Sequence, residues 1–433
     1  MSAPSRATDL ERHYLHDIFA ELCRIESPSG RERACAQRIA EELQVLGIEV
    51  HEDDAAPATG SDCGNLLARI PGGAGAPPAP RAATEPQAHA GEIGEGTRTR
   101  AVHPGEVAAP THEQGGRGSI LLCAHMDTVP LQAPVEPVLR EGFWENANEG
   151  ILGADNKAAV AVLLTLARRA HRESLGGPPP AGFPIDIELL FTVGEERSLA
   201  GARAFDATRL RSRFGYAFDH SSPVGEVILS SPTHHRLQAT FRGLAAHAGV
   251  RPEEGRSAIL AAARAVADMR LGRIDAHTTA NVGTIAGGSA INVVPERCSI
   301  LAEVRSQREE RAEEVLAELL DCVHEAANLP ECECDVDVTV ERTFRGYRTS
   351  PSTPAVRAAE SALRVCGHEP VRISSGGASD ANALIAAGFP VVNLANGTER
   401  NHEPGERVSA AALEAMLEVA LALPAAAAAA MQE

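Results

Sequence analysis

Hydrophobic residues near the start of the chain recur at helical spacing. The apolar positions within 10–25 follow this spacing, and after the Ser-Pro-Ser-Gly break at 27–30 a second run extends over 31–46. The pattern predicts two surface helices. Two short, continuously apolar runs follow at 64–70 and 119–124. Their length and composition predict buried strands.

The segment between these two strands, 71–118, has a different composition. It is rich in Pro, Ala and Gly and contains few large apolar side chains. Such a segment cannot bury enough surface to offset the entropy lost on ordering. We therefore expect a disordered insertion there.

The remaining pattern changes twice along the chain. Predicted helices and strands alternate up to about residue 230 and again after 343, which predicts a mostly parallel sheet with helices on both faces. The intervening 231–343 pairs strand-like segments with two helical stretches, the pattern of an α+β sandwich. We expect an α/β protein whose catalytic domain comprises 1–230 and 344–433, with 231–343 inserted as a lid domain.

Composition excludes several classes of protein. The formal net charge is -19 and Lys157 is the sole lysine, so no basic tract is available for nucleic acid. The nine cysteines are scattered and include no Cys-x-x-Cys pair, which argues against a disulfide framework or a structural zinc knuckle. The first residues lack the pattern of a signal peptide, and no stretch approaches the apolar length of a membrane span. We expect a cytoplasmic protein that contacts neither nucleic acid nor membrane.

Polar residues suited to metal binding follow several predicted strands. His125 and Asp127 are two residues apart, so both side chains leave the same face, and the carboxylate can orient an imidazole that binds metal. Asp155 follows a glycine turn, where helix capping is the alternative. Glu195 and Glu196 end another strand. Because adjacent side chains project in different directions, one can bind metal while the other faces water.

Two further residues complete a set of potential ligands. Asp219 follows the apolar run FGYAF, and His402 lies in a polar loop. Each alone is more commonly a cap, a turn or a surface residue. Two imidazoles together with several carboxylates and no cysteine suit a pair of zinc-like ions. The predicted metal ligands are His125, Asp155, Glu196, Asp219 and His402.

The motifs resemble the zinc-dependent superfamily that includes peptidase T, carboxypeptidase G, aminoacylase and the succinyl-diaminopimelate desuccinylases. The blocks AHMDTVP, LGADNKAAV, TVGEER, FDH and NHEPGERV are similar to its five metal blocks and occur in the same order. This resemblance implies that His125 and Asp219 hold one zinc ion. Glu196 and His402 would hold the second, and Asp155 would bridge the two.

The resemblance also implies catalytic roles. Asp127 would support the histidine ligand, and Glu195 would be the general base that takes a proton from the attacking water. His247, in the lid segment FRGLAAHAG, would polarise the substrate carbonyl, often across a dimer interface, so the lid is also expected to form a homodimer. Asn156 departs from the family, since many relatives have a second Asp there, which puts the local hydrogen bonding in doubt.

Four residues match positions that approach substrate in the family. They are Asn292, Arg305, Gly377 and Ser379. The last two belong to a Gly-rich turn into a helix, whose N-terminus is a ready site for a substrate carboxylate. The alternatives are a solvated strand residue for Arg305 and a simple helix cap for Ser379.

The resemblance implies a hydrolase with two zinc ions, for which Co²⁺ or Mn²⁺ could substitute. Phrases such as HAGVRPEEG, LGRID and TTANVG are most similar to the peptidase T-like branch. We therefore expect an aminopeptidase or tripeptidase acting on short peptides. An N-acyl amino-acid deacylase or a carboxypeptidase with the same metals is the alternative, and a metal-binding protein without catalysis is a third hypothesis.

Overall fold

The computed structural model describes residues 6–73, 118–171 and 182–432. The insertion expected at 71–118 lies almost entirely outside these residues. The described chain forms three sheets, and two large apolar clusters make up most of its core.

Ten α-helices lie within the described residues. They are α1 Asp9–Arg24, α2 Arg33–Val45, α3 Ala56–Thr59, α4 Ala154–Ala170, α5 Ala200–Ala204, α6 Ala258–Asp268, α7 Glu309–Ala327, α8 Pro354–Val365, α9 Asp380–Ala386 and α10 Ala410–Ala430. The two opening helices predicted from apolar spacing are α1 and α2. A capping box starts α1, since Thr8 and Glu11 each bind the backbone N–H of the other.

The main sheet has nine strands. They are β1 Val50–Glu52, β2 Leu66–Ile70, β3 Ser119–His125, β6 Asp186–Thr192, β7 Phe214–Phe218, β8 Glu226–Ser231, β14 Tyr347–Arg348, β15 Val371–Ser374 and β16 Val391–Leu394. Their order is β1-β2-β6-β3-β7-β16-β8-β14, and β15 also pairs with β8. Every residue of β3 is buried, and α4 packs its apolar side chains against this strand.

The sheet is mixed, so the prediction of a mostly parallel sheet is not confirmed. The central strands β6, β3, β7 and β16 run parallel, and β15 is parallel to β8. The pairs β1–β2, β2–β6, β8–β16 and β8–β14 are antiparallel. A short run that is buried on both faces has the same apolar pattern in either direction. The sequence pattern therefore did not reveal the antiparallel strands toward the edges.

The second sheet is formed within 233–344. Its strands are β9 Thr233–Arg242, β10 Gly272–Asp275, β11 Thr278–Gly287, β12 Arg297–Ser306 and β13 Asp335–Phe344. All its pairings are antiparallel, in the order β10-β11-β12-β9-β13. Helices α6 and α7 pack on one face and share an apolar core with it.

A third, four-stranded sheet was not predicted. Its strands are β4 Pro137–Arg140, β5 Phe143–Asn146, β17 Thr398–Glu399 and β18 Arg407–Ser409. Strands of two to four residues are too short to display a periodic pattern. This sheet matters for the site, because the loop between β17 and β18 contains His402.

Helix α10 corrects another expectation. It is long and apolar enough to cross a membrane by length and composition, so the statement that no stretch approaches this length is wrong. Much of its apolar character comes from many small alanines rather than from large side chains. In the structure α10 packs against α4 and α8, and Leu413, Leu417 and Leu423 are buried in the main core.

Candidate functional site

The predicted metal ligands meet at one edge of the main sheet. His125 is the last residue of β3, and Asp219 directly follows β7. Glu195 and Glu196 follow the end of β6 within four residues. Because β3, β6 and β7 are parallel, their carboxyl ends lie at the same edge. Ligands collect at this edge in open α/β sheets.

One half of the cluster is centred on His125, which is buried. Its Nε2 lies 3.4 Å from Asp155 Oδ1 and 3.7 Å from Asp219 Oδ1. This buried nitrogen and Asp155 Oδ1 have no hydrogen-bond partner in the described structure. A buried polar atom without a partner is costly, so these atoms are arranged for a further group.

The other half is centred on His402. Its Nε2 lies 2.7 Å from Glu196 Oε1 and 3.5 Å from Asp155 Oδ2. Glu196 Oε1 is buried without a hydrogen-bond partner. The second oxygen of Asp155 also accepts a hydrogen bond from Asn401 Nδ2 at 2.8 Å. The Asp155 carboxylate thus presents one oxygen to each imidazole.

Asp127 connects His125 to the turn at 193–196, which we call the glutamate turn. It is fully buried, and its backbone oxygen lies 3.0 Å from His125 Nδ1. Its carboxylate accepts hydrogen bonds from the backbone N–H groups of Glu195 and Glu196, at 2.9 and 3.2 Å, and from Ser29 Oγ at 2.6 Å. Asp127 therefore fixes the imidazole and the glutamate turn relative to each other.

Two buried carboxyl groups near the cluster were not predicted from the sequence. Glu406 accepts hydrogen bonds from the backbone N–H groups of Leu152, Gly153 and Asp155, at 2.8 to 2.9 Å. Asp380, in the first turn of α9, accepts a hydrogen bond from Thr192 Oγ1. Burial raises the pKa of each of these two carboxyl groups to about 7. Both acids stand inside quoted motifs, NHEPGERV and GGASDANALI, but hydrogen bonds to remote backbone are not visible in sequence.

The electrostatics of the cluster reflect an excess of buried acid. Burial raises the pKa values of Glu195, Glu196 and Asp219, and neighbouring carboxylates add to the effect. The neighbouring carboxylates of Asp155 and Glu196 raise the pKa of His402 to about 10. Burial lowers the pKa of His125, but the surrounding aspartates have the larger effect and raise this pKa well above its usual range. Within the described residues, no Arg or Lys forms an ion pair with these carboxylates.

This donor set fits divalent cations. Two groups of potential ligand atoms, each within 4.8 Å of one another, are His125 with Glu195 and Asp219, and His125 with Asp155 and Glu196. Imidazole nitrogen and carboxylate oxygen are ligands that zinc accepts. A cation would also satisfy the partnerless atoms and offset the excess negative charge. The residues present therefore suit a metal centre.

Two of the predicted residues in the lid segment are His247, expected as a catalytic residue, and Asn292, expected as a substrate contact. His247 is exposed, and its backbone pairs with Val293. Asn292 is also exposed, and its backbone oxygen accepts a hydrogen bond from Ala248 N. Among the described residues, His247 forms no hydrogen bond or ion pair with the clustered side chains. His247 is therefore not part of the hydrogen-bonded cluster within the described residues of one chain.

The remaining predicted substrate contacts lie where the second sheet meets the main sheet. Arg305 pairs with Glu303 at 3.1 Å, and its Nη1 lies 3.5 Å from the Gly376 oxygen. The oxygen of Gly377 accepts a hydrogen bond from Ser231 Oγ at 2.8 Å. Ser379 is buried at the start of α9, where its N–H donates to Asn382 Oδ1 at 3.2 Å. The structure places Arg305 beside the glycine turn and Ser379 in a helix-capping position.

Two family models match parts of the chain. A peptidase dimerisation domain of the M20 type matches residues 232–328, and peptidase family M28 matches residues 106–259. An uncharacterised protein, YqjE of Bacillus subtilis, is 32% identical over 409 residues, which are 94% of this chain and 97% of that protein.

Two solved structures are similar over nearly their whole length. The aminopeptidase PepT of Bacillus cereus is 32% identical with a TM-score of 0.75, over 96% of this chain and 99% of that chain. A tripeptidase of Staphylococcus aureus is 29% identical with a TM-score of 0.79, over the same shares of the two chains. These matches confirm the prediction of a metal-dependent peptide hydrolase. The chain belongs to the M20 superfamily of metallopeptidases, in its peptidase T-like branch.

Proposed function

We propose that the enzyme is an aminopeptidase that removes the N-terminal residue from short peptides, tripeptides among them, with two zinc ions as its cofactor. The observation that carries the proposal is the position of the Asp155 carboxylate, whose two oxygens face the imidazoles of His125 and His402. A carboxylate placed in this way can bridge two cations. The likeness to an aminopeptidase and a tripeptidase supports the choice of substrate.

The proposed ligands divide into two sets that share one residue. His125 and Asp219 would hold the first zinc, Glu196 and His402 the second, and Asp155 both. Co²⁺ or Mn²⁺ could substitute, since nitrogen and oxygen donors accept either ion. Bound cations of this kind lower the pKa of water and polarise a carbonyl oxygen.

Glu195 performs the proton transfers in this proposal. Its carboxylate would accept a proton from the attacking water and later donate it to the nitrogen of the leaving amine. The rigid support of its backbone by Asp127 suits this role, because a general base must stay within hydrogen-bond reach of the proton it takes. No covalent enzyme intermediate is required.

A matched set of peptides tests the substrate assignment. Zinc-loaded enzyme should cleave trialanine to alanine and dialanine and should also cleave trialanine amide, whereas N-acetyl-trialanine should resist because the free amine is required. Mass spectrometry of the products over time checks this result. Release of alanine from the C-terminus of N-acetyl-trialanine would instead establish a carboxypeptidase. Release of acetate from N-acetyl-alanine alone would establish a deacylase.

The proposal also includes a lid domain at 231–343, which lies between catalytic parts at 1–230 and 344–433. This lid domain would form a homodimer. Strand β10 pairs only with the start of β11, so the outer edge of 281–287 is unpaired within the described structure. Such an edge favours pairing with another strand. Val250, Ile285 and Ile291 are exposed. These features and the match to a dimerisation domain support a dimer.

The location of the enzyme in the cell is also part of the proposal. All nine cysteines are free thiols. Unpaired cysteines are typical of proteins kept in a reducing compartment. This supports a location in the cytoplasm.

The exposed His247 is proposed to reach the site of the partner subunit. His247→Ala should lower kcat on the order of a hundredfold and leave metal content unchanged, as expected for a contact made in the transition state. The equally exposed His277 of the same domain provides a control, and His277→Ala should be fully active.

Mixed dimers separate the two ways in which His247 could act. Mixing inactive Glu195→Gln and His247→Ala subunits should restore part of the activity, because one of the two sites would then have both groups intact. Exchange is verified by mass spectrometry of differently tagged subunits. Complete exchange without recovery would place the histidine in its own subunit, and an active His247→Ala enzyme would remove it from catalysis.

A further inference from the structure

Four consecutive backbone N–H groups of the glutamate turn bind buried side chains. Val193 N donates to Asn65 Oδ1 at 3.1 Å, and Gly194 N donates to Glu32 Oε1 at 3.1 Å. The N–H groups of Glu195 and Glu196 donate to Asp127. Such groups usually bind other backbone atoms in strands and helices. In this turn each of them is held by a side chain from another part of the chain.

All three side chains that hold the turn are buried. Asn65, Glu32 and Asp127 are at most 1% exposed. Asn65 is fixed by its own contacts, since its Nδ2 donates to Asp53 Oδ2 at 2.8 Å and to the Gly201 oxygen at 3.0 Å. The turn is therefore held by groups that are themselves immobilised.

Glu32 is the member of this set whose burial most needs an explanation. Its Oε1 also accepts a hydrogen bond from Gly30 N at 2.9 Å, and its Oε2 accepts one from Ser61 Oγ at 2.6 Å. Within the described structure, it forms no ion pair with Arg, Lys or His. A buried carboxylate without a cation is costly. A hydrogen-bonding role at Gly194 accounts for its presence there.

The backbone conformation of Gly194 sets the direction in which the chain continues into Glu195 and Glu196. Its φ of +59° lies in the left-handed region, which a residue with a side chain seldom adopts. Gly194 is followed directly by Glu195 and Glu196, so a small rotation at Gly194 would move both carboxylates. Displacement of a catalytic group by about 1 Å can reduce a rate on the order of a hundredfold.

We propose that Glu32 is a positioning residue for catalysis, which holds Gly194 so that the Glu195 carboxylate faces the reacting water and Glu196 faces the metal. This inference rests on the proposed function, in which Glu195 is the base. Glu32 itself does not touch substrate or metal. Its contribution depends on its capacity to accept a hydrogen bond from Gly194 N.

The substitutions Glu32→Ala and Glu32→Gln test this role. Glu32→Ala removes the acceptor and should lower kcat on the order of tenfold to a hundredfold, with KM and metal content little changed. Glu32→Gln keeps an acceptor oxygen for Gly194, and its amide can donate to Ser61, so it should restore kcat to within about threefold of the wild type. If Glu32→Ala does not fold, Glu32→Asp replaces it, because the shorter side chain withdraws the acceptor and should lower kcat likewise.

Glu188 provides the matched control. It is a buried carboxylate near the start of β6, and it accepts hydrogen bonds from the backbone N–H groups of Arg211 and Ser212, each at 2.8 Å. Glu188→Ala should lower the melting temperature but leave kcat of the folded enzyme unchanged. Equal kcat values in the Glu32→Ala and Glu188→Ala enzymes would overturn the proposal, as would a Glu32→Gln enzyme as impaired as Glu32→Ala.

The same measurements distinguish this proposal from the assignment of the base. If Glu195→Gln is inactive while Glu32→Ala behaves like the Glu188 control, only the positioning role fails. If Glu195→Gln is fully active, the base assignment fails and the positioning role fails with it.

Discussion

Replacing Glu195 with Gln should reduce kcat by on the order of a hundredfold or more while zinc content and substrate binding are retained. Glutamine has nearly the same size and can still form hydrogen bonds, but it cannot accept a proton from water. The backbone of this residue is held through its N–H by Asp127, so the substitution should not disturb the turn. Steady-state kinetics and elemental analysis of the purified variant measure both quantities.

The control for this prediction is Glu403→Gln. Glu403 is exposed in the loop that contains His402, and its carboxylate forms an ion pair with Arg400 at 3.6 Å. Removing its charge should leave kcat unchanged. Glu195 also belongs to one group of potential ligand atoms, so its metal content is informative. Loss of metal from Glu195→Gln would make Glu195 a ligand, and an active variant would remove it from catalysis.

Replacing Asp155 with Ala should weaken both metal positions at once. This carboxylate lies between the two imidazoles, and its loss removes one oxygen from each side of the cluster. In metalloproteins, mutation of a residue that only supports a metal ligand typically weakens metal binding by about ten- to hundredfold. Removal of the ligand itself should weaken binding by at least this factor. Activity at limiting zinc should disappear. Glu196→Ala removes an oxygen that lies 2.7 Å from His402 Nε2 and that the proposal assigns to the second zinc, so it should weaken one position.

Competition with a metal chelator, followed by elemental analysis, measures these affinities. Asp186→Asn is the control, since this residue lies at the start of β6 and accepts a hydrogen bond from Gly72 N at 2.7 Å. Its metal affinity should equal that of the wild type. If Asp155→Ala lost only one metal, or if Glu196→Ala lost both, the shared position of Asp155 would be wrong.

The sequence could predict which polar residues follow strands, because apolar strands end at polar residues. His125 and Asp219 could be placed at strand ends, and parallel neighbours bring such ends to one edge. His402 could be proposed as a ligand from its residue type and from the resemblance, but its position could not be derived, since a loop between two very short strands has no periodic signal. The direction of the strands toward the sheet edges was also not encoded in their apolar pattern.

The residues that support the site through hydrogen bonds were not predictable from the sequence, and the reason is a different one. Glu32, Asn65 and Glu406 act through hydrogen bonds to backbone groups that are distant in sequence. A single acid or amide in a polar segment has no signature that distinguishes it from a surface residue. Only the fold shows that these side chains are buried against the turns that contain the proposed ligands.

A zinc titration of metal-free enzyme, with trialanine hydrolysis as the readout, tests most directly whether the enzyme works with two zinc ions. We predict no turnover without metal and a rate that rises until two zinc ions are bound per chain. Full activity of the metal-free enzyme, or a rate that does not depend on added zinc, would contradict this prediction.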